Sequence, residues 1–146
     1  MIYKFFYNTF AQQYHGIMTW LKHKSEENLN SASILLDNKL YASSIHCYYY
    51  ACLQLVKCVL NNKLGISYQE QDDTKEDSHN LVIKKLYENL KRKDIAKANI
   101  FKRCIDDLKY SRTRADYKNV QIQSKDATSA RNKSDSVIKL INEQYA

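Results

Sequence analysis

A chain with no proline and only two glycines holds almost no residue that ends a segment by itself. A sandwich of hairpins needs a turn about every 8–12 residues, built largely from those residue types. That scarcity of breakers excludes hairpin-rich folds, collagen-like chains and glycine-rich phosphate loops, and leaves long helices. Its 146 residues make one domain of ordinary size. Apolar residues are 44% and charged residues 27%, enough to bury a core and too apolar for disorder. No apolar run reaches the ~18 residues of a membrane helix, and the first residues lack a signal-peptide layout. The expectation is therefore a cytoplasmic chain with no membrane contact. Cys47, Cys52, Cys58 and Cys104 form no C-x-x-C pair. They read as free thiols buried as small hydrophobes, and neither a metal nor a cofactor is expected.

Helical periodicity runs through the chain. One helix is expected from about Ile17 to Asp37, with Leu21, Asn28, Ala32 and Leu35 on one face. A second runs from about Leu40 to Asn61, where Ile45, Tyr48, Cys52, Leu55 and Val59 recur at spacings of three and four. Gly65 closes it through a left-handed conformation. Residues 66–77 are polar and acidic and predict a mobile loop. Ser78 is the expected cap of a third helix whose stripe is Val82, Leu86 and Leu90. Ala98, Phe101, Ile105, Leu108 and Ala115 mark a fourth. After a connection over 118–123, Ser124 caps a fifth with Ala127, Ala130, Ser134, Val137 and Ile141 inward. The fold class predicted is all-α, an antiparallel up-down bundle of four to five helices spanning 17–146. Residues 1–16 stand apart as an aromatic N-terminal extension, which either docks on the bundle or covers a partner surface.

The net charge of +7 is concentrated in one stretch. Residues 81–125 carry 13 basic and 5 acidic groups, net +8, while residues 1–80 carry 7 and 8, net −1. A localised positive field favours phosphate backbones and acidic surfaces, and a solvated lysine-rich helix face is the alternative. Within it, Arg112 and Asp116 stand one helical turn apart and can pair. That pair is either a surface salt bridge or an arginine held to meet phosphate. Tyr48, Tyr49 and Tyr50 point about 100° apart on a helix, so they cannot share one ligand, and at least one belongs to the core. His46 lies beside the apolar stripe of the second helix and reads as partly exposed. His79 sits next to the proposed cap of the third, where it packs, caps or contacts a nucleotide.

The stretch SEENLNSASILLDNKLYASSIHCYYYACLQLVKCVL resembles the opening helix pair of the HEPN family, with Tyr41, Ala42, Tyr49, Tyr50 and Ala51 matching its Y-A and Y-Y-A positions. SHNLV, from Ser78 to Val82, is similar to the family's entry to the third helix. RTRADYKN resembles the R-x-x-A-D-Y block of one branch. The resemblance covers about residues 18–145. It implies a helical bundle, often a homodimer, that binds or cuts RNA or binds a nucleotide. It also implies a toxin–antitoxin or defence setting, with a minimal nucleotidyltransferase as partner. The ribonuclease branch carries R-x-x-x-x-H, whereas here Arg112 leads to Tyr117 and no histidine follows His79. Carried over residue by residue, the catalytic candidates are Arg112, Asp116 and Tyr117. The nucleic-acid-binding candidates are Lys91, Arg92, Lys93, Arg114 and His79. The alternative function is a non-catalytic helical module for dimerisation or docking.

Overall fold

The computed structural model describes the backbone of residues 3–73 and 77–146, and side chains from residue 20 onward with the same gap. Among these residues there are six helices and no strand. They are α1 (Tyr3–Asp37), α2 (Tyr41–Leu64), α3 (Tyr68–Asp72), α4 (Ser78–Lys93), α5 (Ile95–Tyr117) and α6 (Ser124–Tyr145). Five long helices form the expected all-α bundle, and α3 is a single added turn. The expected start of the first helix near Ile17 moves to Tyr3. A lone glycine at position 16 costs a helix only about 1 kcal/mol and does not stop it. The aromatic side chains before residue 20 lie outside the described residues.

The turns show how a chain without proline changes direction. Lys39 takes a left-handed conformation (φ 61°) between α1 and α2. Gly65 does the same at φ 67°, and the Gly65 and Ile66 N–H groups both reach the Leu60 carbonyl. Between α4 and α5 a single residue does the work of a loop. Asp94 donates its N–H to the Leu90 carbonyl at 2.8 Å, closing α4, and its carboxylate accepts from the Lys97 N–H at 3.1 Å, opening α5. A side-chain acceptor here satisfies a helix N-terminus that proline or glycine cannot.

Two expected caps shift by one residue. Asp77 rather than Ser78 caps α4, accepting from the His79 N–H at 2.9 Å. Gln123 rather than Ser124 precedes α6, where its N–H donates to Asp126 at 2.8 Å. The expected loop over 66–77 is interrupted by α3. Ser67 and Glu70 form a reciprocal capping box there, and Gln71 is buried with its amide donating to the Lys57 and Ile66 carbonyls. The S-x-x-E signature is legible in the sequence. The run of acidic residues around it hides the signal.

α2 is the axis of the bundle and packs against α1, α4, α5 and α6. Its buried residues run round its circumference: Ile45, Tyr48, Tyr49, Cys52, Val56 and Leu60 are at most 1% exposed. A helix apolar on all sides has to be central. Each outer helix contributes one stripe, and the predicted inward residues of α4, α5 and α6 are buried, except Ala115, which is half-buried. Full burial of a leucine or phenylalanine contributes roughly 1.5–3 kcal/mol, and Leu86 and Leu90 of α4 and Phe101 and Ile105 of α5 are all fully buried in the one core. Of the four cysteines three are buried as expected, and Cys47 is only half-buried. The buried Cys52 thiol lies 3.3 Å from the Ser134 hydroxyl, and burial pushes it up to about 12. No helix among the described residues is long and apolar enough to cross a membrane.

Candidate functional site

α2 and α5 run antiparallel where they cross, so residues rising on α2 from His46 to Tyr50 face residues falling on α5 from Asp116 to Arg112. Arg112 lies at the centre and is only 7% exposed. Its guanidinium carbon stands 5.0 Å from the Tyr49 ring, 5.8 Å from Tyr50 and 5.6 Å from Tyr117. Aromatic faces attract a cation, by about 0.5–2 kcal/mol each as solvent is excluded. The polar contacts are sparse. One Nη donates to the Tyr117 hydroxyl at 3.4 Å and lies 3.8 Å from the Asp116 carboxylate, and the guanidinium also hydrogen-bonds the Tyr49 hydroxyl. The Nε is buried without a hydrogen-bond partner. A guanidinium has five donors, so this one is buried and under-satisfied.

Asp116 is committed elsewhere. Its Oδ2 accepts from His46 Nδ1 at 2.9 Å, and that same oxygen is the one 3.8 Å from Arg112. A carboxylate oxygen only accepts, so His46 carries its Nδ1 proton there and presents Nε2 away from the pair. The His46 side chain is 46% exposed. Its ring lies 4.6 Å from Tyr50, and Tyr50 in turn lies 5.9 Å from His79.

His79 joins from the first turn of α4. Its Nδ1 is 3.1 Å from the buried Tyr49 hydroxyl. Burial pushes its pKa below the ordinary value. The Asp77 carboxylate opposes that shift, and the charges of Arg112, Lys109 and Lys57 add to it. Asp77 itself is held below the usual carboxylate range, chiefly by a hydrogen bond from Lys109, whose ammonium also reaches Asn80 at 2.6 Å. Burial raises the Tyr49 phenol well above its usual value. Two tyrosines of the triplet thus converge on Arg112. Tyr48 is buried on the other side of α2, its hydroxyl beside Ser44 and within the field of Arg131, Asp135 and Asp37.

The candidate residues separate into two places. Arg112, Asp116, Tyr117 and His79 come together. Tyr117 is the last residue of α5 and is 71% exposed, so its ring covers Arg112 from the solvent side. Lys91, Arg92 and Lys93 form the last turn of α4, about 22 Å along the helix from Ser78 at 1.5 Å per residue. They are partly engaged there. Lys93 sits over the Tyr145 ring at 4.1 Å and donates to the Gln144 carbonyl. Arg114 points to α6, 3.9 Å from Asp126, with its guanidinium 6.0 Å from the Tyr110 ring. No group of three metal-ligating side chains converges among the described residues. Sequence reasoning missed the link from His46 to Asp116, which joins residues 70 apart. The one available signal was the outward position of His46 beside the stripe of α2.

The family model for the HEPN domain matches residues 18–144. The chain belongs to the HEPN family. No curated protein and no solved structure matches it. HEPN membership supports a module associated with RNA or nucleotides at the level of the family. The matched span contains every residue of the Arg112 cluster.

Proposed function

We propose that this HEPN protein binds RNA or a nucleotide through phosphate at Arg112, with Tyr117, Tyr50 and His46 forming the aromatic rim on which a base stacks. The observation that carries this reading is the state of Arg112. A cation only 7% exposed keeps one long ion pair and hydrogen bonds to two tyrosine hydroxyls, Tyr117 and Tyr49, with its Nε unpartnered. Guanidinium presents a planar fork that suits phosphate oxygens, and stacking on aromatic rings is tolerant of base identity. The setting we propose is a toxin–antitoxin or defence system in the cytoplasm. The protein acts there as a homodimer, with a minimal nucleotidyltransferase as its partner. Family membership is what supports that setting.

The test is binding of a fluorescent single-stranded RNA by the wild type and by Arg112→Lys. A lost charge-assisted hydrogen bond is worth about 1.5–3 kcal/mol, so affinity should fall roughly 10- to 150-fold while the thermal midpoint holds. Unchanged affinity would remove the reading. A second reading, a non-catalytic interaction module, draws on the end of α5, where Tyr110, Tyr117 and Val120 are exposed by 66%, 71% and 48%. It requires that Tyr110→Glu abolish self-association or partner binding and that Arg112→Lys change nothing.

A further inference from the structure

The Arg112 site holds a guanidinium that can stabilise negative charge and a histidine oriented by a carboxylate. Among the described residues, the hydrogen-bond, ion-pair and ring partners of these two groups include no serine or cysteine side chain. A site with a base and an anion stabiliser but no nucleophile of its own activates either water or a nucleophile that the substrate brings. RNA brings one, since each 2′-hydroxyl lies next to a phosphodiester. Resting on the phosphate reading above, we propose that His46 of α2 is the general base of this site for RNA strand scission, with Asp116 as its positioning residue.

The geometry meets the requirements of such a base. Asp116 Oδ2 accepts the Nδ1 proton at 2.9 Å, which fixes the tautomer with the Nε2 lone pair turned outward. The imidazole is accessible, with 46% of the side chain exposed, and Arg112 stands 3.8 Å from the same carboxylate oxygen. One phosphodiester and its neighbouring 2′-hydroxyl can therefore reach both groups. His79 is the poorer candidate. Its Nδ1 is turned to the buried Tyr49 hydroxyl, behind Tyr50.

The step balances without a further reagent except water. His46 Nε2 takes the 2′-hydroxyl proton, and the 2′-oxygen bonds to the adjacent phosphorus. Arg112 faces the charge that develops on the non-bridging oxygens. The bond from phosphorus to the 5′-oxygen breaks, and that oxygen takes a proton from water. The imidazolium returns its proton to the resulting hydroxide. The products are a 2′,3′-cyclic phosphate end and a free 5′-hydroxyl.

The experiment uses the full chain and two probes of identical sequence, a single-stranded RNA and its fully 2′-deoxy analogue, which lacks the nucleophile. The expected result is binding of both probes and cleavage of the RNA alone. His46→Ala should lower the cleavage rate at saturating RNA by about 10²- to 10⁴-fold, a rate that any affinity lost with one ring of the rim does not enter. Added imidazole should restore part of the rate, which a merely structural role for His46 would not allow. Asp116→Asn keeps an acceptor for Nδ1 and should cost less than His46→Ala. Binding of both probes with no cleavage by the wild type would overturn the proposal and leave the phosphate reading standing, as would full activity in His46→Ala. Failure to bind either probe would overturn both.

Discussion

Replacing Arg112 by methionine should stabilise the protein while removing its affinity for RNA. Methionine is unbranched and fits the space between Tyr49, Tyr50 and Tyr117 with little strain. Three favourable terms are lost. The aromatic contacts at 5.0–5.8 Å contribute about 0.5–2 kcal/mol each when dry, less here because Tyr117 is 71% exposed. The 3.8 Å approach to Asp116 is long for an ion pair and is not the main bond of that carboxylate. The 3.4 Å hydrogen bond to Tyr117 is weak at that length, and the Tyr49 hydroxyl, which also bonds Arg112, keeps His79 as a partner at 3.1 Å. Against them stands the cost of holding a charge at 7% exposure with a buried Nε left unpartnered, about 1–3 kcal/mol for the orphan donor and several more for the ion. Asp116 is not stranded by the change, because His46 still holds it at 2.9 Å. The balance favours methionine by about 1–2 kcal/mol, or a thermal midpoint higher by roughly 2–8 °C for a domain of this size. Urea denaturation at constant m measures it. A loss of more than about 1 kcal/mol would refute the reasoning. Arg112 would then be a structural keystone, and its burial would need no ligand to explain it.

Stability should fall on acidification in two stages. His79 binds its proton less readily folded than unfolded, so its contribution is complete above about pH 6.5 and declines below it. Asp77 is held below the usual range, so its contribution persists until the pH falls through the folded value, below about 4. Urea titrations of His79→Gln should lack the first stage and keep the second. Removing the Ser67 cap in Ser67→Ala should speed amide exchange across 68–72 about fivefold, as loss of about 1 kcal/mol requires, with the global midpoint unchanged. Lys91→Gln, Arg92→Gln and Lys93→Gln together should lower the salt slope for a long RNA strand by about 2, at ~0.7 per phosphate contact, and leave a trinucleotide at Arg112 unaffected. An equal effect on both strands would mean that the α4 end and the Arg112 site are one surface.

The fold was legible because a 3.6 period is written in residues that all serve the same core. Val82, Leu86 and Leu90 name the inner face of α4 without help from any other helix. Boundaries were less legible where two good caps stand side by side. Asp77 precedes Ser78, and either can accept a first-turn N–H. α3 was hidden because Gln71 is buried by its amide bonds, which apolar periodicity does not register. At the site, the i, i+4 link from Arg112 to Asp116 follows from helix geometry. The tyrosine triplet also obeyed it, with Tyr48 turned away from the other two. What periodicity cannot supply is the crossing of α2 over α5. That crossing gives Asp116 to His46 and Tyr49 to His79, pairs 70 and 30 residues apart. The basic run at 91–93 shows the reverse error. Charge summed along the chain joined it to Arg112, while the length of α4 separates them.

The most direct test of phosphate binding at Arg112 is the magnetic resonance of its own side chain. The Nε–H is buried beside three aromatic rings, so its signal should be slow to exchange and well dispersed. Titration with a single-stranded RNA trinucleotide should shift that resonance, together with the ring signals of His46 and Tyr117, along one saturation curve. The signal should vanish in Arg112→Lys, and the affinity should fall roughly 10- to 150-fold with it. Saturable RNA binding that moves the lysine signals of α4 and leaves the Arg112 Nε–H in place would contradict the account.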